Sequence, residues 1–139
     1  MECIYLPSLT TRNEEIIVEG DEAKHLKVLR IRTSEKISAT NGKGDFFELI
    51  IIDIQNKEYK CKVINKYENY GELSIKFGLA IGIMSNNDRF EFALEKGIEL
   101  GITDFFPVKT EYSQKHTINL KRLEQKSISS IKQCKRSKL

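Results

Sequence analysis

Two segments place side chains that could do chemistry at usable spacings. The first is Lys24-His25-Leu26-Lys27-Val28-Leu29-Arg30-Ile31-Arg32. On a short helix His25, Val28 and Leu29 take neighbouring positions, while Lys24, Lys27 and Arg30 or Arg32 project outward. Cations so spaced can hold phosphates, and Arg30 can contact one through two parallel hydrogen bonds. A solvated helix face accounts for Arg30 and Arg32 equally well, and His25 reads as a residue that fixes the turn rather than a catalytic one. The second segment is Arg89-Phe90-Glu91-Phe92-Ala93-Leu94-Glu95-Lys96-Gly97-Ile98-Glu99-Leu100-Gly101. Gly97 inside a helix costs about 1 kcal/mol relative to alanine, so a close neighbour is expected there. Lys96 and Glu99, three apart, are expected to form a surface ion pair.

A third signal is a charge imbalance. From Asn119 to Leu139 seven basic residues (Lys121, Arg122, Lys126, Lys132, Lys135, Arg136 and Lys138) face one acid, Glu124. That end carries +6 and the preceding body −3, which sum to the net +3. Such an end suits an anionic partner, nucleic acid above all, or a solvated helix face.

Other chemistries find no support. There is no glycine-rich phosphate loop or nucleophile elbow, and His25 and His116 are too far apart for a metal-binding pair. Cys3, Cys61 and Cys134 have no metal-ligand spacing and read as reduced thiols, so no metal is expected. No apolar run is long enough to cross a bilayer, and Met1-Glu2-Cys3-Ile4-Tyr5 lacks the features of a signal peptide; the expected location is the cytoplasm. No catalytic residue is singled out.

These residues need elements to position them. Short strands are expected at Ile4 to Leu6 and Glu15 to Val18, then a helix capped by Asp21 and running through Ala23, Leu26 and Leu29. A strand from Lys36 to Thr40 leads into the turn Asn41-Gly42-Lys43-Gly44. Long strands from Asp45 to Ile54 and Glu58 to Tyr67 follow, joined across Gln55-Asn56-Lys57, with Tyr59, Cys61 and Val63 on one face. Residues 1–70 thus form a mostly antiparallel β unit, linked through Asn69-Tyr70-Gly71 to residues 71–139. There, Leu73 to Ile83 reads as a strand buried on both faces. Asp88 and Glu91 read as a capping box for a helix ending at Gly101. Ile102 to Phe106 is a strand closed by Pro107, and Asn119 begins a last helix through Leu120, Leu123, Ser127, Ile131 and Cys134. Strand, helix, strand, helix is an open α/β layout.

The ordered series resembles the RsmE family of 16S ribosomal RNA uridine-N3 methyltransferases. It rests on His25-Leu26 through Val28-Leu29-Arg30, then Asn41-Gly42-Lys43-Gly44, Met84-Ser85, Asp88-Arg89-Phe90-Glu91, the run Leu94 to Ile102, and Pro107. Lys132-Gln133 and Arg136 resemble the family's glutamine and arginine on the following helix. The resemblance implies a PUA-like β-barrel domain over 1–70 and the first part of an α/β SPOUT domain over 71–139. It further implies S-adenosylmethionine as methyl donor, 16S ribosomal RNA as substrate, and a homodimer. RNA contacts are then expected from Lys24, Lys27, Arg30 and Arg32 and from Lys132, Gln133, Lys135 and Arg136. Two departures stand out. Glu111 is followed by Tyr112 where the family commonly has arginine, and the family's I-G-P-E-G-G loop and L-R-x-E-T segment do not occur. Those segments build the knot and the cofactor pocket, so the expectation is a chain without the knot region and without cofactor-binding residues. The alternative is a non-catalytic RNA-binding module.

Overall fold

In the computed structural model, residues 1–113 and 117–139 are described. The chain runs β1 (Cys3–Tyr5), β2 (Glu15–Val18), α1 (Gly20–Val28), β3 (Lys36–Thr40), β4 (Asp45–Gln55), β5 (Glu58–Glu68), β6 (Gly78–Gly82), α2 (Asn87–Glu99), β7 (Asp104–Val108) and α3 (Leu120–Cys134). The first five strands form one sheet in the order β1-β3-β4-β5-β2, with β1 parallel to β3 and the other pairs antiparallel. Asn56 and Lys57, both at positive φ, close the β4–β5 hairpin in the manner that suits strand twist. Phe47, Leu49, Ile51, Tyr59 and Cys61 face a core shared with Ile4, Val18, Leu26 and Ile37. Phe46 points to the opposite face and is also buried, because Tyr70 stacks on it with ring centres 4.4 Å apart.

The second unit is a parallel pair, β6 and β7, with α2 and α3 on one side. Leu79 and Phe105 pack against Leu94, Ile98, Ile102 and Ile131. The strand is much shorter than the expected Leu73 to Ile83, and it is not buried on both faces: Leu73, Ile75 and Phe106 are exposed. With one partner strand and one layer of helices, only alternate residues find apolar neighbours. Pro107 lies inside β7 rather than ending it, as an edge strand permits.

Helix starts also differ from expectation. Asp21 lies within the first turn of α1, and Glu19 caps it without a side-chain bond. Asn86, not Asp88, caps α2 by accepting the Arg89 N–H. Glu91 is therefore not half of a capping box; it is buried against Arg122. Asn119 caps α3 through the Arg122 N–H as expected. A Cβ on Gly97 would stand 2.7 Å from Ile102 Cδ1, which is the close approach that position implied.

The C-terminal residues return to the first unit. Gly44 N–H donates to Ser137, Leu139 N–H to Gly42, and Ser137 N–H to Tyr70. Gly42 has φ +70°, and a Cβ there would be 2.9 Å from the Tyr5 ring. Beneath this return Arg136 is clasped by Glu72: Nη2 to Oε2 is 2.7 Å, and Oε1 also accepts the N–H of Ser137 and of Lys138. Arg136 Nη1 donates to the carbonyls of Ile98 (2.9 Å) and Ile102 (2.8 Å). One side chain thus ties the linker, α2 and the C-terminal segment together.

Candidate nucleic-acid interface

Helix α1 buries Ala23 and Leu26 and leaves Lys24, Lys27, Val28 and Leu29 in solvent. Its end is a Schellman turn: Arg30 N–H donates to Lys27 and Ile31 N–H to Leu26, while Ile31 packs on the core. Arg30 is the left-handed residue of this turn, φ 58°, where glycine is the favoured type. An arginine there carries about 1 kcal/mol of strain. Arg30 and Arg32 are exposed, so Lys24, Lys27, Arg30 and Arg32 form a cationic ridge. Lys24 also pairs with Asp21 at 2.7 Å, which holds the Asp21 carboxyl below its ordinary range.

The basic end is less free than its charge suggests. Four of its seven cations neutralise acids of the body. Arg122 pairs with Glu91, Lys126 with Glu95 at 2.8 Å, Lys132 with both oxygens of Glu22 at 2.9 Å, and Arg136 with Glu72. The negative body and positive end therefore read first as mutual glue. Arg136 is 5% exposed with its donors turned inward, which removes it from the expected RNA contacts. Lys132, largely covered and held by Glu22, is removed for the same reason. Gln133 is exposed and Lys135 half-buried; Lys135, like Arg30, is left-handed (φ 56°) at a helix end.

His25 of the first segment comes together with Gln133 and Lys135 of the second, while Lys24, Lys27, Arg30 and Arg32 do not line the same cleft. A cleft of about 410 Å³ is lined by Met1, Glu2, Cys3 and His25 from one side and by Ser129, Lys132 and Gln133 of α3 and the capping Lys135 from the other. His25 Nε2 lies 2.9 Å from Glu2 Oε1. Burial pushes the Cys3 thiol up to about 11, so it acts there as wall and not as nucleophile. The sequence held no signal for Glu2 or Ser129, since neither stands near a motif.

A second cleft, about 390 Å³, lies past the C-terminal ends of β6 and β7, where open α/β sheets commonly take ligands. Its lining includes Ser85, Asn86, Arg89, Thr110 and Tyr112 and, among the described residues, no carboxylate. S-adenosylmethionine has a carboxylate that Arg89 could meet, but its sulfonium, ammonium and ribose diol call for acceptors that this lining lacks as carboxylates. These residues do not fit it, and no methyl-transfer step is derived from them. Among the described residues no group of three or more His, Cys, Asp or Glu side chains is placed to hold a metal, and no helix is long and apolar enough to cross a membrane.

Comparison with known proteins gives the fold its place. A family model for the RNA methyltransferase domain matches residues 71–139, and one for the RNA methyltransferase PUA domain matches residues 18–64. The chain belongs to the RsmE family. A ribosomal RNA small subunit methyltransferase E of Buchnera aphidicola (from Acyrthosiphon pisum) is 30% identical over 85% of this chain and 49% of its own length. The Rickettsia conorii protein of that name is 25% identical over 96% of this chain and 54% of its own. Among solved structures, the Neisseria gonorrhoeae RsmE bound to S-adenosyl methionine superposes with a TM-score of 0.85 at 26% identity, covering 99% of this chain and 58% of that one. A probable rRNA-methyltransferase from Porphyromonas gingivalis matches equally well, over 100% and 58%. The chain thus spans about half the length of its RsmE relatives.

Proposed function

We propose that this chain supplies the RNA grip and the first portion of the catalytic domain of an RsmE-type enzyme. That enzyme transfers methyl from S-adenosylmethionine to N3 of a uridine in 16S ribosomal RNA. The observation that carries the reading is the joint match of both units, in sequence and in fold, to RsmE proteins. In this reading residues 1–70 are the PUA-like RNA-binding domain and 71–139 the start of the SPOUT domain. The protein works in the cytoplasm as a homodimer. Lys24, Lys27, Arg30 and Arg32 contact phosphates, and Gln133 and Lys135 make further RNA contacts at the cleft they share with His25. A uridine N3 is engaged in any base pair, so the target must be turned out of its stack, and this grip holds the flanking RNA while that happens. Nucleoside mass spectrometry of 16S ribosomal RNA from cells lacking the gene tests the reading. N3-methyluridine should vanish and return on complementation; an undiminished level would refute it.

A second reading, a non-catalytic RNA-binding module, is favoured by the acid-free cleft at the strand ends. It predicts ribosomal RNA bound by this chain, with the methyl mark unchanged when the gene is lost.

A further inference from the structure

The cleft between β1, α1 and α3 holds groups that phosphate binding does not explain. A phosphate only accepts hydrogen bonds, yet this cleft offers acceptors as well as donors. Glu2 Oε1 lies 2.9 Å from His25 Nε2; in the neutral tautomer whose Nε2 donates to that carboxylate, Nδ1 is an acceptor with no partner among the described residues. Gln133, exposed on α3, brings an amide that both donates and accepts, and Ser129 adds a hydroxyl. Met1 and Cys3 supply apolar wall. Lys135 stands beside them, at a position whose left-handed backbone favours glycine. A volume of about 410 Å³ is in the range of small-ligand sites.

We propose that this cleft is a base-reading subsite, taking one unpaired nucleobase of the RNA that the cationic ridge holds. Gln133 pairs with the base edge, and Nδ1 of His25 accepts from a ring N–H. Glu2 is the positioning residue that fixes the imidazole, and Lys135 takes the adjoining phosphate. The acceptor selects bases with an N–H on the ring, uracil or guanine, over cytosine and adenine, whose ring nitrogen there is itself an acceptor. The inference rests on the RNA-binding reading and adds sequence preference to it.

Fluorescence anisotropy with short single-stranded oligo(U) and oligo(C) tests it on the 139-residue chain. Oligo(U) should bind about tenfold tighter, the usual worth of one good edge contact. Gln133→Ala and His25→Ala should bring the ratio to within about twofold, because oligo(U) loses much more affinity than oligo(C), and should leave the salt dependence of both unchanged. Glu2→Gln, which retains the chain's packing, should reduce the ratio partway. Arg30→Ala should weaken both oligomers equally and keep the ratio. Binding without preference, or a preference that survives Gln133→Ala and His25→Ala, overturns the subsite alone. No binding of either oligomer at low salt overturns the RNA reading and the subsite with it.

Discussion

Replacing Arg136 by methionine isolates the clasp that joins the two units. The Arg136 and Glu72 side chains are 6% and 4% exposed, so the substitution leaves a carboxylate buried without its counter-charge. Breaking a buried pair in this way costs roughly 3–5 kcal/mol. The Ile102 carbonyl also loses its donor, while that of Ile98 keeps the Gly101 N–H, adding about 1 kcal/mol. Domains of this size have about 5–15 kcal/mol in total, so Arg136→Met should be close to unfolded or should melt at least about 10 °C lower. Glu72→Met combined with Arg136→Met removes both charges and should recover part of the loss, leaving the orphaned Ile102 carbonyl and Lys138 N–H as the remainder. Urea denaturation followed by circular dichroism measures all three variants. Single substitutions that each cost under about 1 kcal/mol and add without coupling would show that the clasp contributes little and refute the reasoning.

The clasp has a pH signature. Burial pushes the Glu72 carboxyl up, but hydrogen bonds from Arg136 and from the Lys138 and Ser137 N–H groups outweigh it and hold the group below its ordinary 4.5. A depressed carboxylate stabilises fully above its unfolded value, and that stability is lost as pH falls through the folded one. Stability should therefore decline below about pH 4.5 in the parent, by more than in a Glu72→Gln variant; equal acid sensitivity would contradict this. Gly97→Ala gains about 1 kcal/mol of helix propensity but meets buried Ile102, so a net loss of about 1 kcal/mol is expected in the same melts. Cys3 and Cys61, both pushed up to about 11 by burial, should resist iodoacetamide at pH 8 until the chain unfolds; rapid labelling of either would place it outside the core. Titration calorimetry of residues 1–139 with S-adenosylmethionine should give weak heats or none, and tight binding would reveal a pocket built from other residues.

Local patterns proved readable wherever local physics decides. The alternation in Glu58 to Tyr67, the Asn119 cap and the crowding at Gly97 all follow from nearest neighbours, and each stands where the sequence put it. Errors came where distant partners decide. Leu73 to Ile83 is apolar enough for a central strand, but how much of it pairs depends on the elements around it. Asp88 and Glu91 have capping-box spacing, yet Glu91 is taken by Arg122, 31 residues on. Charge counting recognised a basic end but not its four acidic partners, because Glu22, Glu72, Glu91 and Glu95 are scattered along the body. The convergence of His25 with Gln133 and Lys135 was invisible for the same reason, while the family motifs that contain His25 and Gln133 were plain.

The proposed grip of this chain on RNA runs through the α1 ridge. Its most direct test is affinity for small-subunit ribosomal RNA across a salt series, comparing the parent with a variant in which Lys24, Lys27, Arg30 and Arg32 are all alanine. Each lost phosphate contact removes roughly 0.7–0.9 from the slope of log affinity against log salt, so the slope should flatten by about 3. A variant that stays folded and keeps the parent's affinity and slope would contradict the claim.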